Sequence, residues 1–229
     1  MIAQLNERIT KMYFVSTREE DDCKELYGGA WGYFWDKESA VDAVHRNVTD
    51  MHETIYPYAI IERLEPGLFP VPKEREWFGW VEEKDGFYEI ETPGCNKYFP
   101  RNFSVALGTV GDENSRFIEQ LPATIDENTP CYFIMAMKSD DREGERVRRC
   151  GFFTDGETAF KAVDENWCDI HNGKYDVAWI ECITPYIIAW STECVWFKWN
   201  EEKGGYIEAK APEAFEDYPE PPYYPVSFI

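Results

Sequence analysis

Apolar and polar positions follow two rhythms along this chain, and each rhythm occurs twice, 119 residues apart. MYFVS (12–16) and CYFIMAMK (131–138) run aromatic and apolar residues together, which predicts opening strands. GYFW (32–35) and CGFF (150–153) predict second strands. In DKESAVDAVHRN (36–47) the period changes: Ala40, Val41 and Val44 recur at helical spacing, as do Ala159, Phe160 and Val163 in DGETAFKAVDEN (155–166). Asp36 and Asp155 stand where a side-chain oxygen caps the first free amides, and Thr154 with Glu157 has the spacing of a capping box. Period two returns in YPYAIIERL (56–64) and YDVAWIECI (175–183). There Ala59 and Ile61, or Ala178 and Ile180, share one face. Glu62 and Glu181 fall on the opposite parity and are expected to face solvent or the other repeat, a solvated sheet face being where charged residues mostly lie. REWFGWVEE (75–83) and CVWFKWNEE (194–202) each lead through a Gly-containing turn into a further apolar run, a hairpin signal. NFSVALG (102–108) and YYPVSFI (223–229) read as closing strands.

Sliding the chain against itself by 119 aligns residues 12–93 with 131–212 without a gap, and 29 of the 82 pairs are identical, far beyond chance. The predicted fold is therefore α+β: two tandem copies of a ββαβββ unit, each an antiparallel sheet with one helix packed on a face. The expected division is a first repeat over 1–108, an acidic linker over 109–130 and a second repeat over 131–229.

The net charge of −21 is distributed with the repeat. Residues 12–108 carry 19 acids and 10 bases, a net −9, and residues 131–229 carry the same numbers. Acidity thus belongs to the folded unit, not to a charged tail. Such a surface repels nucleic acid, whose affinity comes from phosphate neutralisation by Lys and Arg. Direct nucleic-acid binding is not expected, and basic proteins are the expected partners. The start MIAQLNERITKMYF lacks the basic and apolar regions of a signal peptide, and no apolar run reaches the roughly 20 residues of a membrane helix. A cytoplasmic protein without membrane contact is expected. None of Cys131, Cys150, Cys168, Cys182 and Cys194 faces a cysteine 119 positions earlier, so no disulfide framework or zinc site belongs to the repeated unit.

The polar residues that recur are few. Asp50-x-His52 returns as Asp169-x-His171, a carboxylate placed to orient an imidazole, but no nucleophile or third metal ligand recurs beside it. Asp21-Asp22 and Asp140-Asp141 offer oxygen ligands in a loop, a position that turn chemistry also favours. Glu62 and Glu181 are a symmetric carboxylate pair of the kind glycoside hydrolysis uses. Trp77, Phe78 and Trp80 recur as Trp196, Phe197 and Trp199. Trp77 must point away from Phe78 and Trp80, so one side enters a core and the other meets a partner or the second repeat. Arg146, Arg148 and Arg149 form the only basic cluster, and the matching 27–30 stretch has none. Phosphate-cradling glycine motifs, a G-x-S-x-G elbow and a C-x-x-C pair are missing, which argues against an enzyme, and no cofactor is implied.

Tyr13-Phe14, Gly32-Tyr33-Phe34, Glu38-x-Ala40-x-x-Ala43-Val44, Tyr56-x-x-Ala59-x-Ile61-Glu62 and Trp77-Phe78-x-Trp80, with their second copies, resemble acidic tandem-repeat proteins of clostridial gut bacteria and their phages. The resemblance implies no catalytic residues, only an origin: an accessory, phage-borne, cytosolic protein. Two functions fit. The first is a non-catalytic acidic binding protein, a phage-encoded inhibitor of the anti-CRISPR or another counter-defence kind, whose carboxylates occupy a basic nucleic-acid-binding surface of a host protein. The alternative sequesters a small nucleotide-like ligand between the repeats, with Trp77, Trp80, Trp196 and Trp199 stacking the base and Arg148 or Arg149 holding phosphate.

Overall fold

The period-two segments form antiparallel ladders and the period-3.6 segments form one short helix each, so the fold is α+β. The structure, a computed structural model, describes residues 11–19, 29–48, 50–54, 56–112, 125–139, 147–171, 174–187, 191–212 and 215. In the first half the elements are β1 (Met12–Arg18), β2 (Ala30–Phe34), helix α1 (Lys37–His45), β3 (Tyr58–Leu64), β4 (Gly67–Leu68), β5 (Glu74–Val81), β6 (Gly86–Glu89), β7 (Phe103–Ser104) and β8 (Thr109–Val110). The second half holds β9 (Cys131–Met137), β10 (Arg148–Phe153), helix α2 (Gly156–Asp164), β11 (Val177–Ile183), β12 (Tyr186–Ile187), β13 (Ser191–Asn200) and β14 (Gly205–Ala209).

Asp36 caps α1 by accepting from the Ser39 amide at 2.7 Å, and Asp155 caps α2 by accepting from the Thr158 amide at 2.8 Å. Each cap is worth about 1 kcal/mol. The cap of α2 is Asp155 and not Thr154, which is buried, so the expected Thr154–Glu157 box does not start the helix. Helices of nine residues are marginal alone and depend on burying one face. Ala40, Ala43 and Val44 bury against Ala59, Ile61 and Phe78, while Ala159, Ala162 and Val163 bury against Ala178, Ile180 and Phe197.

Two six-stranded sheets result, in the orders β12-β2-β1-β3-β5-β6 and β14-β13-β11-β9-β10-β4. Each takes five strands from one half and its sixth from the other. Tyr186 and Ile187 pair with Tyr33 and Gly32, and Gly67 and Leu68 pair with Phe152 and Gly151, positions that are 119 apart throughout. Both exchanges are very close: a Cβ on Gly32 would lie 1.8 Å from the Tyr186 carbonyl oxygen, and one on Gly151 would lie 2.1 Å from that of Gly67. The exchanged strands carry apolar side chains across, Ile187 into the first helix-side core and Leu68 into the second. Between the halves, Phe14, Tyr33, Phe133 and Phe152 form one cluster with ring centroids 5.3–6.0 Å apart. At its edge Cys131 Sγ lies 3.6 Å from Met12 Sδ, again 119 positions apart.

NFSVALG does not close a sheet. Only Phe103–Ser104 is extended, and it pairs with Thr109–Val110, inside the segment expected as linker. Phe99, Phe103 and Val105 lie instead across the outer face of the first sheet, on Ile60 and Trp77. YYPVSFI lies outside the described residues.

Candidate functional site

The Asp-x-His segments are built by the chain leaving each helix. Asn47 and Asp50 adopt φ of 46° and 54°, and Asn166 and Asp169 adopt 49° and 51°, left-handed values that short polar side chains tolerate. Asn47 Oδ1 accepts the His52 amide at 3.0 Å and Asn166 Oδ1 accepts the His171 amide at 2.8 Å, which fixes the direction of each imidazole. His52 stacks on Trp80 at 3.8 Å and 5°, and His171 on Trp199 at 3.9 Å and 2°. Phe87 and Tyr206 meet the two indoles edge-on at 5.3 Å. Each histidine thus has one ring face covered by tryptophan, while Asp50 and Asp169 stay exposed. The cleft beside the first stack, about 310 Å³, is lined by Arg46, Asn47, Asp50, His52, Trp80, Glu82 and Asp85. Among the described residues it presents carboxylates and no Ser, Thr, Cys or Lys nucleophile.

Glu62 and Glu181 are not on a solvated face: both have 0% exposure. Strand parity placed them opposite the helix correctly, but that face is covered as well. Glu62 accepts from Arg75 Nε at 2.8 Å, Ser104 Oγ at 3.0 Å and the Ala106 amide at 3.0 Å. Arg75 also donates to Asn96 Oδ1 at 3.2 Å and to the Phe103 carbonyl. Position 194, which matches Arg75, is a cysteine, so Glu181 has a different environment. Arg149, 9% exposed, feels the Glu181 carboxylate and the Arg18 guanidinium of the first half. Burial, reinforced by repulsion from Arg18, pulls the Arg149 pKa down to about 10 against the attraction of Glu181. Both carboxylates are thus fully buried, Glu62 in a closed hydrogen-bond network, and neither is presented to a substrate.

Comparison with protein-family models, with curated proteins and with solved structures finds no match.

The sequence-derived binding residues separate in space. Trp77, 3% exposed, packs beneath Phe99, while Trp80 lies on the helix side. Trp196 is half-buried on Trp179 and Phe215, at 4.9 and 5.1 Å. None of the four tryptophans joins the inter-half cluster, which is made by Phe14, Tyr33, Phe133 and Phe152. Arg148 lies over the Phe69 ring at 4.4 Å and Arg149 is buried, so the basic cluster is largely spent on packing rather than displayed. Asp21, Asp22, Asp140, Asp141 and Arg146 lie outside the described residues. A cleft of about 380 Å³ does open at the junction, under Pro185 and Tyr186, but among the described residues it contains Asp36, Asp42 and Glu127 against a single Arg46. That charge is wrong for phosphate. No helix among the described residues is long and apolar enough to cross a membrane.

One constellation escaped the sequence reading. Lys73, Arg75, Lys97 and Arg101 line a cleft of about 410 Å³ on the outer face of the first sheet. Up to 28 residues separate them, and no spacing rule joins bases brought together by a strand and a following loop.

Proposed function

We propose that the chain is a duplicated ββαβββ body fused into an internal pseudo-dimer, and that it acts as a non-catalytic acidic binding protein. Its carboxylates occupy a basic nucleic-acid-binding surface of a host protein, in the manner of a phage-encoded counter-defence inhibitor working in host cytoplasm. The observation that carries this reading is the doubled placement of exposed acids around each stacked tryptophan: Asp50, Glu82, Glu83 and Asp85 in one half, and Asp169, Glu201 and Glu202 in the other. Carboxylates on short turns and helix ends, held by a rigid sheet, present spaced negative charge as a nucleic-acid backbone does. The reciprocal edge strands favour the same reading, because they hold two such patches in one fixed relation.

The test is competition. Basic DNA- and RNA-binding nucleases, bacterial RNA-guided ones among them, are titrated with the protein while labelled nucleic acid reports release by anisotropy. Release at low salt that weakens steeply as salt rises is expected, and reversing Glu82, Glu83, Glu201 and Glu202 to Lys should abolish it. If no nuclease releases its nucleic acid at low salt, or the reversed variant competes equally well, the proposal is wrong.

A further inference from the structure

Among the residues lining the outer cleft of the first half, positive charge is in excess although the chain as a whole is acidic. The only carboxylate among the described lining residues, Glu74, is already paired with Arg63 at 3.0 Å, and Arg75 is neutralised by Glu62. Lys73 has Glu65 only at 3.9 Å. Lys97 and Arg101 are exposed and form no salt bridge among the described residues. Trp77 lines the same cleft, is 3% exposed and contributes its ring to the cleft wall, with Nε1 sealed from solvent. The unbalanced bases call for an anion with acceptor oxygens.

The second half lacks this arrangement. At positions 119 residues on, Lys73 becomes Thr192, Arg75 becomes Cys194 and Asn96 becomes Phe215. Phe215 packs on Trp196 at 5.1 Å, an aromatic where the first half has the polar Asn96 beside its cleft. Duplication explains the shared framework but not these bases, which belong to one copy only.

We propose that the cleft binds a compact phosphate-bearing anion. Lys73, Lys97 and Arg101 supply the charge, and the Trp77 ring forms part of the wall against which the anion sits. The volume suits a phosphomonoester up to mononucleotide size. The site lies on the sheet face opposite α1 and its neighbouring acidic turn, so it stands or falls separately from the acidic docking surface.

Calorimetric titration of the full chain at low salt, with inorganic phosphate, a nucleoside monophosphate and a sugar phosphate, tests the assignment. Saturable binding of at least one of them is expected. Equal affinity for all three identifies the phosphate group as the whole ligand, and tighter binding of one organic phosphate identifies further contacts in the cleft. The exposed double substitution Lys97→Ala/Arg101→Ala should weaken binding about tenfold or more. Absence of saturable binding by every phosphate, or affinity unchanged in the Lys97/Arg101 variant, overturns the proposal. The acid-to-lysine variant used for the docking surface should still bind phosphate, which keeps the two failures distinguishable.

Discussion

Glu62 offers the sharpest test of how this fold is held together. Its carboxylate is fully buried, shares one oxygen with Arg75 and gives the other to Ser104 and the Ala106 amide. Glu62→Ala would leave the Arg75 guanidinium, with 13% side-chain exposure, facing an apolar gap. Breaking one side of a buried ion pair costs about 3–5 kcal/mol, because the remaining charge has neither water nor counter-ion. Ser104 and Ala106 would add two orphaned donors at about 1–3 kcal/mol each if water did not enter. We expect about 4 kcal/mol in total, since some solvent should reach the vacated site, and a melting temperature lower by roughly 10 °C. The pairwise part is isolated by comparing Glu62→Gln, Arg75→Met and the double variant in urea unfolding, followed by far-UV circular dichroism and tryptophan fluorescence. A coupling of about 2 kcal/mol is expected, within the usual range for contacting residues. A cost below about 1 kcal/mol for Glu62→Ala, or a coupling below about 0.5 kcal/mol, would refute the claim that the outer loop is anchored through this carboxylate.

Gly32→Ala and Gly151→Ala each place a methyl within 1.8 and 2.1 Å of a backbone carbonyl of the exchanged strand, so either should disrupt the exchange and expose the inter-half aromatics to a hydrophobic dye. Wild-type dye binding and melting in both variants would contradict the close edge pairing. Tyr186 holds φ at 145°, a value adopted at its matching position by Gly67 at 144°, and the residue is 58% exposed. Tyr186→Gly should therefore stabilise by about 1 kcal/mol through relief of backbone strain, and a fall in the unfolding midpoint would show that packing of the ring on Phe34 outweighs it. The Cys150 thiol is pushed up to about 12 by burial, a rise that Arg148 only partly offsets. Its reactive thiolate should be scarce at pH 9, so peptide mapping after alkylation should find Cys150 unmodified while half-buried Cys95 reacts. Equal labelling would place Cys150 at the surface.

Most of the local grammar of the chain is legible, the Thr154–Glu157 box and the NFSVALG strand being the exceptions. Helix caps at Asp36 and Asp155, the alternation that puts Ala59 with Ile61, and the opposite directions of Trp77 and Trp80 all follow from periods of 3.6 and 2, which neighbouring residues alone impose. The 119-residue correspondence and the even division of acidity are likewise properties of the sequence by itself. Tertiary structure decided what lies on the far side of each element. Parity says which way Glu62 points but not that Phe99–Leu107 folds over it, so a residue expected in water is buried with a partner 13 positions away. Two-residue strands such as Gly67–Leu68 and Tyr186–Ile187 are too short to carry a period, and only contact across the halves makes them strands. The basic cleft has the same origin: Lys73, Lys97 and Arg101 become neighbours because a loop returns to the outer face of a sheet, and charge convergence of that kind is written in distances, which a linear pattern does not contain.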